Sequence, residues 1–153
     1  METTDLRQCI QRFNETAQGE FRAPNEGEWD AAMLIAHIAE TARTFSATTR
    51  DILEATPSGY DNAATTFEPS LRRVIASAGS IDKLRQLAAV RAEELLDLMA
   101  RLTDEQVQTP VHVRVIDGDV VRLQVTRPWA GALATQSRLH WPVHTEALQA
   151  LRI

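Results

Sequence analysis

Cysteine is almost missing from this chain: Cys9 is the only one in 153 residues. No disulfide can form within it, and a reducing cytoplasm is the expected compartment. Lysine is as scarce, with Lys83 alone beside fifteen arginines, a bias that points to a GC-rich bacterial genome. No apolar run approaches the roughly 18 residues that a membrane-spanning helix needs. The polar, acidic start Met1-Glu2-Thr3-Thr4-Asp5 has no signal-peptide pattern. Positive charge is in deficit too. Sixteen Lys+Arg against 21 Asp+Glu leave a net charge of −5, the wrong balance for gripping nucleic-acid phosphates. Neither a Gly-rich phosphate loop, a GxSxG elbow nor a Cys/His nucleophile pair occurs. A cytoplasmic protein with no nucleic-acid or membrane partner is expected.

What is present reads as a globular domain. Hydrophobic residues make up 44% and charged residues 24%, and 153 residues suffice for one domain, 1–153, with a core that needs no staples. Four segments carry a helical period. Leu6, Cys9, Ile10, Phe13 and Ala17 make one apolar stripe, ended by Gly19 and the turn Pro24-Asn25-Glu26-Gly27. A second helix spans about Glu28 to Ala55, with Leu34, Ile38, Thr41, Phe45, Thr48 and Ile52 inward, and stops at Thr56-Pro57-Ser58-Gly59. Ser80 caps a third, whose stripe is Leu84, Ala88, Arg91, Leu95, Leu98 and Leu102. The fourth follows Pro128 and runs toward Ile153 through Trp129, Leu133, Gln136/Ser137, His140, His144, Leu148 and Leu151.

Residues 57–79 link helices two and three, with a helical turn expected near Leu71–Ala76. Stretched out, the link reaches about 75 Å, against about 42 Å for helix two. It can therefore cross the bundle and let helices two and three run parallel. The expected fold is all-α: an up-down-down-up four-helix bundle with a long crossover. A small β-hairpin is expected between helices three and four, where Val111, Val113, Val115 and then Val121, Leu123, Val125 alternate around Asp117-Gly118-Asp119. Matching the apolar faces calls for a three-residue loop or a bulge. The loop pairs Val115 with Val121, Val113 with Leu123 and Val111 with Val125, and leaves His112 on the polar face opposite Gln124. The apolar face is free to bury against the bundle or a partner chain.

His140 and His144 stand four apart on one helix face, so both imidazoles can reach one point. They continue a stripe where core residues are expected, and stacked core histidines are costly unless their nitrogens are satisfied. His37, on the inner edge of helix two, is the third candidate. Together they would make a His₃ face with an open position, as in a catalytic zinc site; bonding to carbonyls or carboxylates is the plainer alternative. Arg91 interrupts an apolar stripe and suits either an anion clamp for substrate or a buried pair with a carboxylate. Arg138 is a weaker candidate of the same kind. Glu40 and Glu146 are placed to orient ligand imidazoles or to stay solvated. Cys9 reads as a small core hydrophobe, and Trp29 and Trp141 as packing beside the histidines that gives a dry wall, core filler being the plainer role. Pro142, between the two histidines, removes an amide and must kink or break the helix, a kink being expected. No catalytic acid or base is evident.

The strings Glu28-Trp29 … Leu34-Ile35-Ala36-His37-Ile38-Ala39-Glu40 and Leu139-His140-Trp141-Pro142-Val143-His144-Thr145-Glu146 resemble the second and fourth helices of the DinB/YfiT-like metalloenzymes. Their layout matches over essentially the whole chain, though the motifs are short, and Pro142 departs from the family's HxxxH helix. The resemblance implies an up-down-down-up bundle and a divalent metal, zinc or nickel, on His37, His140 and His144. It also implies a homodimer, and an enzyme using a low-molecular-weight thiol (mycothiol, bacillithiol or glutathione) for transfer or isomerisation on a small electrophilic substrate. A site of this kind can activate a thiol or a water, so hydrolysis is also open. The rival reading is a non-catalytic metal- or ligand-binding helical dimer with a stress or regulatory role, and the placement of Arg91 is what separates the two.

Overall fold

α1 (Thr4–Ala17) buries Leu6, Ile10, Phe13 and Ala17, with Cys9 half-buried beside them. The computed structural model describes residues 1–56 and 59–153; the Pro57-Ser58 pair of the expected helix-two stop lies outside them. α2 (Ala31–Leu53) begins after the expected Glu28, because the Asp30 carboxylate caps it by accepting from the Met33 amide at 2.7 Å. At its other end the amides of Ala55 and Thr56 bond the carbonyls of Ile52 and Asp51. This is a Schellman closure with Ala55 in the left-handed region at φ 56.

The crossover is more structured than expected. It holds β1 (Tyr60–Asp61), α3 (Ala63–Thr66) and α4 (Glu68–Ala78), the last enclosing the predicted turn at 71–76 and stopped by Gly79 at φ 78. The Ser80 hydroxyl caps α5 (Ile81–Arg101) by accepting from the Lys83 amide at 3.2 Å, as the sequence indicates. α2 and α5 share the broadest helix–helix packing among the described residues.

β2 (Pro110–Asp117) and β3 (Val120–Pro128) form the predicted hairpin, and β1 joins β2 in parallel to give the order β1-β2-β3. The chain is mostly helical, as expected, with a small three-stranded sheet where a two-stranded hairpin was expected. The third strand exists because the crossover is pinned to the hairpin edge. The Asn62 carboxamide accepts from the Ile116 amide at 2.6 Å and donates to the Ile116 carbonyl at 3.0 Å. Of the two expected devices, a loop or a bulge, the hairpin uses the bulge. Its tip is a two-residue turn, Gly118-Asp119, with Gly118 at φ 58 in the first position, as a type II′ turn requires. That turn alone would set apolar against polar side chains. The register shift between Val115 and Ile116 leaves Arg122 over on β3 and restores the match, with Val115 opposite Leu123 and Val113 opposite Val125. Val111 consequently faces Arg127, and His112 faces Thr126 rather than Gln124.

The predicted fourth helix is α6 (Trp129–Thr135), a π turn (Gln136–His140) and α7 (Trp141–Ala150), with right-handed backbone throughout. Pro142 is thus accommodated by a π turn within a continuous helical run. The Trp141 amide bonds the Gln136 carbonyl five residues back, and the next amide, which would serve Ser137, is missing because residue 142 is proline. The Cys9 thiol donates to that Ser137 carbonyl instead, at 3.4 Å. Burial pushes the Cys9 pKa up, which keeps the proton on sulfur. The π turn also repairs the stripe. From Trp129 to Leu148 an unbroken helix would overshoot five whole turns by about 100°. One extra residue in the turn absorbs that, and both side chains are fully buried. Trp141 lies edge-on to Phe13, with centroids 5.4 Å apart, and so fastens α7 to α1 as core filler, the plainer of the two expected roles. No helix among the described residues is long and apolar enough to cross a membrane.

If Cys9 serves as the donor for the orphaned carbonyl, Cys9→Ala lowers unfolding free energy by about 1–2 kcal/mol, while Cys9→Ser, which keeps a donor, loses less. Urea unfolding of the three proteins checks this; equal losses would leave the thiol as packing only.

Candidate metal centre

Three helical segments bring three imidazoles to one point. His37 Nε2, from the second turn of α2, lies 2.9 Å from His140 Nε2 and 3.1 Å from His144 Nε2. His140 closes the π turn, and His144 sits one turn further along α7. All three sequence-predicted ligands therefore converge, and among the described residues they form the one group of histidine, cysteine or acidic side chains arranged to hold a metal ion.

Counting protons shows why this is not an ordinary hydrogen-bonded cluster. His37 Nδ1 is 2.6 Å from the Thr65 carbonyl, which can only accept, so that nitrogen carries the hydrogen. Its Nε2 is then a bare lone pair, able to accept one N–H well, yet two nitrogens approach it. Adding protons does not help. Burial pushes all three pKa values down, for His140 well below the ordinary value and for His144 to about 3, with the neighbouring rings adding to the effect on those two. Neutral imidazoles with converging lone pairs suit a divalent cation. Ligand nitrogens about 2.0–2.1 Å from a tetrahedral zinc stand ~3.3 Å apart, close to the separations seen. The donor set, three nitrogens and no carboxylate, fits zinc, nickel, copper or iron and disfavours magnesium or calcium. The Thr65 carbonyl supplies the outer bond that orients His37. His140 Nδ1 is buried with no such partner among the described residues.

A cavity of about 560 Å³ adjoins the cluster. Trp29, whose ring centroid is 5.3 Å from that of His37, Phe45 and Tyr60 give it aromatic walls. The apolar face of the hairpin closes another side through Val113, Val115 and Leu123, while Leu139 and Val143 stand exposed at its rim. The hairpin face is thus buried in part against the bundle, as a wall.

The predicted anion clamps lie elsewhere. Arg91 pairs with the buried Glu40, which Arg43 also holds at 2.8 Å, and neither arginine lines the cavity. Burial alone would raise the Glu40 pKa, but the two guanidinium groups outweigh it and lower it. Arg138 is exposed and outside the cavity, and Glu146 borders a groove between α1 and α7. His112 is exposed on the hairpin, its Nδ1 3.3 Å from the Thr126 hydroxyl. Sequence reasoning missed Arg127, which lines the cavity and makes no ion pair among the described residues. A Cβ on Gly131 would come within 2.8 Å of its guanidinium, so glycine there gives it room. The available signal was faint: an arginine at the end of a strand, four residues before a helical glycine.

A family profile described as the DinB superfamily matches residues 4–141. The match takes in His37 and His140; His144 lies just beyond it. No curated protein and no solved structure matches the chain.

Two outcomes follow from this geometry. A cluster held neutral binds fewer protons folded than unfolded below the ordinary imidazole value of 6.5. Metal-free protein is then fully stabilised above pH 6.5 and loses stability as pH falls. Each histidine contributes at most about 1.4 kcal/mol per pH unit. Urea unfolding of chelator-treated protein between pH 7 and 5 measures this; a flat profile, or an unchanged slope in His144→Ala, contradicts it. Arg91→Met, which strips one partner from a buried carboxylate, costs about 1–3 kcal/mol of stability and leaves metal stoichiometry unchanged. Lost metal with unchanged stability would instead place Arg91 at the site.

Proposed function

The chain belongs to the DinB superfamily, and on that premise we propose that it is a divalent-metal-dependent enzyme acting on a small molecule in the cavity beside His37, His140 and His144. The observation that carries this reading is the convergence of three neutral imidazole nitrogens that no arrangement of protons satisfies. Zinc or nickel is the ion of this reading. When bound, it supplies Lewis-acid activation of a thiol or water near neutral pH. The chain's own residues do the rest. Thr65 fixes the His37 tautomer, Trp29, Phe45 and Tyr60 exclude water, and Arg127 offers a positive charge to an anionic group.

The reaction we favour is thiol-dependent transfer or isomerisation on a small electrophile, with a low-molecular-weight thiol as co-substrate; this choice rests on family resemblance. A second reading, a non-catalytic metal- or ligand-binding dimer, draws support from Arg91 and Arg138, which both lie outside the cavity. In either case we read the bundle as up-down-down-up. Glu40 pairs with Arg91 and Arg50 with Glu94, in the same order along α2 and α5, as parallel helices require. A homodimer in the bacterial cytoplasm belongs to the same proposal, supported by the exposed apolar side chains Val121, Leu123, Val125, Leu139 and Val143 and by the single thiol.

Elemental mass spectrometry on tag-free protein tests the metal. Near-stoichiometric zinc or nickel is expected in the parent and is lost in His144→Ala. If neither protein holds metal, and both take up added zinc or nickel equally weakly, the metal reading fails. With metal present, turnover of a small electrophile and a thiol supports the enzyme, and its absence across a panel of both supports the binding module.

A further inference from the structure

Among the described residues, the cavity lining has two buried polar side chains outside the histidine cluster with an atom that bonds nothing. Most of its polar lining is satisfied internally: Thr65 and Thr66 donate to the Asn62 carbonyl, Thr135 to the Ala132 carbonyl, and Asn62 holds Ile116 on both sides. The Thr41 hydroxyl and the Gln136 carboxamide oxygen are different. Both residues line the cavity, only 2% and 3% of their surfaces are exposed, and neither atom has a partner among the described residues. Leaving two such groups dry and unpaired destabilises a fold, so an occupant that pairs them is the natural explanation.

Their placement is as specific as their burial. Thr41 is one turn beyond His37 on α2, and Gln136 one turn before His140. α2 runs antiparallel to the last helical segment, because His37 meets His140 at one level and Phe45 stacks on Trp129 at another, both with centroids 5.0 Å apart. Thr41 and Gln136 therefore occupy the layer between the histidines and the aromatic floor, about one helical rise of 6 Å from the cluster.

We propose that Thr41 and Gln136 are substrate-positioning residues that read a neutral secondary-amide-like group, a hydrogen-bond donor beside an acceptor, on an otherwise apolar molecule. The Gln136 oxygen accepts the ligand N–H, and the Thr41 hydroxyl donates to its carbonyl. The aromatic walls take the apolar body. The inference rests on reading the cavity as the substrate chamber of the histidine cluster.

Acetanilide and phenyl acetate, its isosteric ester with oxygen in place of the N–H, test this by ligand-observed NMR titration. The parent is expected to prefer acetanilide by about tenfold or more, a comparison that needs no variant. In Gln136→Leu the preference disappears, and in Thr41→Val acetanilide binds about tenfold more weakly. Both variants gain thermal stability by about 2–4 °C without ligand, because an unpaired buried polar atom has been removed. A merely structural role predicts the reverse: melting temperature falls and the preference stays. No preference in the parent also overturns the proposal. Metal content measured on the same samples separates this inference from the enzyme reading. A parent that neither holds metal nor takes up added zinc or nickel, yet still prefers acetanilide, upholds the pair and sinks the metal, and a metal-loaded parent without preference sinks the pair alone.

Discussion

The hydrogen bond from His37 Nδ1 to the Thr65 carbonyl decides where the imidazole proton sits, and with it the direction in which the other ring nitrogen can bond. That carbonyl is held in place by a short relay. Thr65 bonds back to the Asn62 carbonyl through both its amide and its hydroxyl, and Asn62 clasps Ile116 at the bulged end of the hairpin. A small three-stranded sheet thus sets the tautomer of a histidine in the second turn of α2. It also explains why the crossover is folded rather than slack: a loose link would leave the carbonyl unplaced and the ring free to turn.

A second constraint comes from one absent amide. Pro142 cannot donate, and the helix answers by widening for one turn and calling on a thiol from α1 to cover the Ser137 carbonyl. The same widening returns Leu148 to the face of Trp129 and turns Trp141 onto Phe13. Local strain, core registration and ligand aim are settled by a single proline, which is why a π turn at such a place reads as part of the design rather than as a defect.

The three histidines of the candidate centre were legible in the sequence because helical spacing and core placement act together: histidines on an apolar stripe are expensive, so their presence carries information. The hairpin was legible from alternation, and the need for a bulge from face matching. β1 was not, since two residues carry no period. Arg91 marks the limit of stripe reasoning. Interrupting an apolar face shows that an arginine must find a partner, but the partner, Glu40, is 51 residues away on α2. Arg127 was invisible for the opposite reason, being an ordinary strand residue until Gly131 makes space beside it. Thr41 and Gln136 lay on the predicted stripes, yet which polar side chains go unpaired is decided only when every neighbour has been placed.

His37 and His144 meet across 107 residues of chain. Closing a loop of that length costs conformational entropy that grows only with its logarithm, but it is lost all at once, when the last helix docks. The three nitrogens therefore belong to no local motif, and a growing chain offers His37 to solvent long before the other two have been synthesised. An ion shared between them would bind the folded chain and not the unfolded one, and so would stabilise the fold by mass action. The centre is in that sense a clasp: it can only be fastened on a finished protein, and while fastened it opposes the opening of the whole.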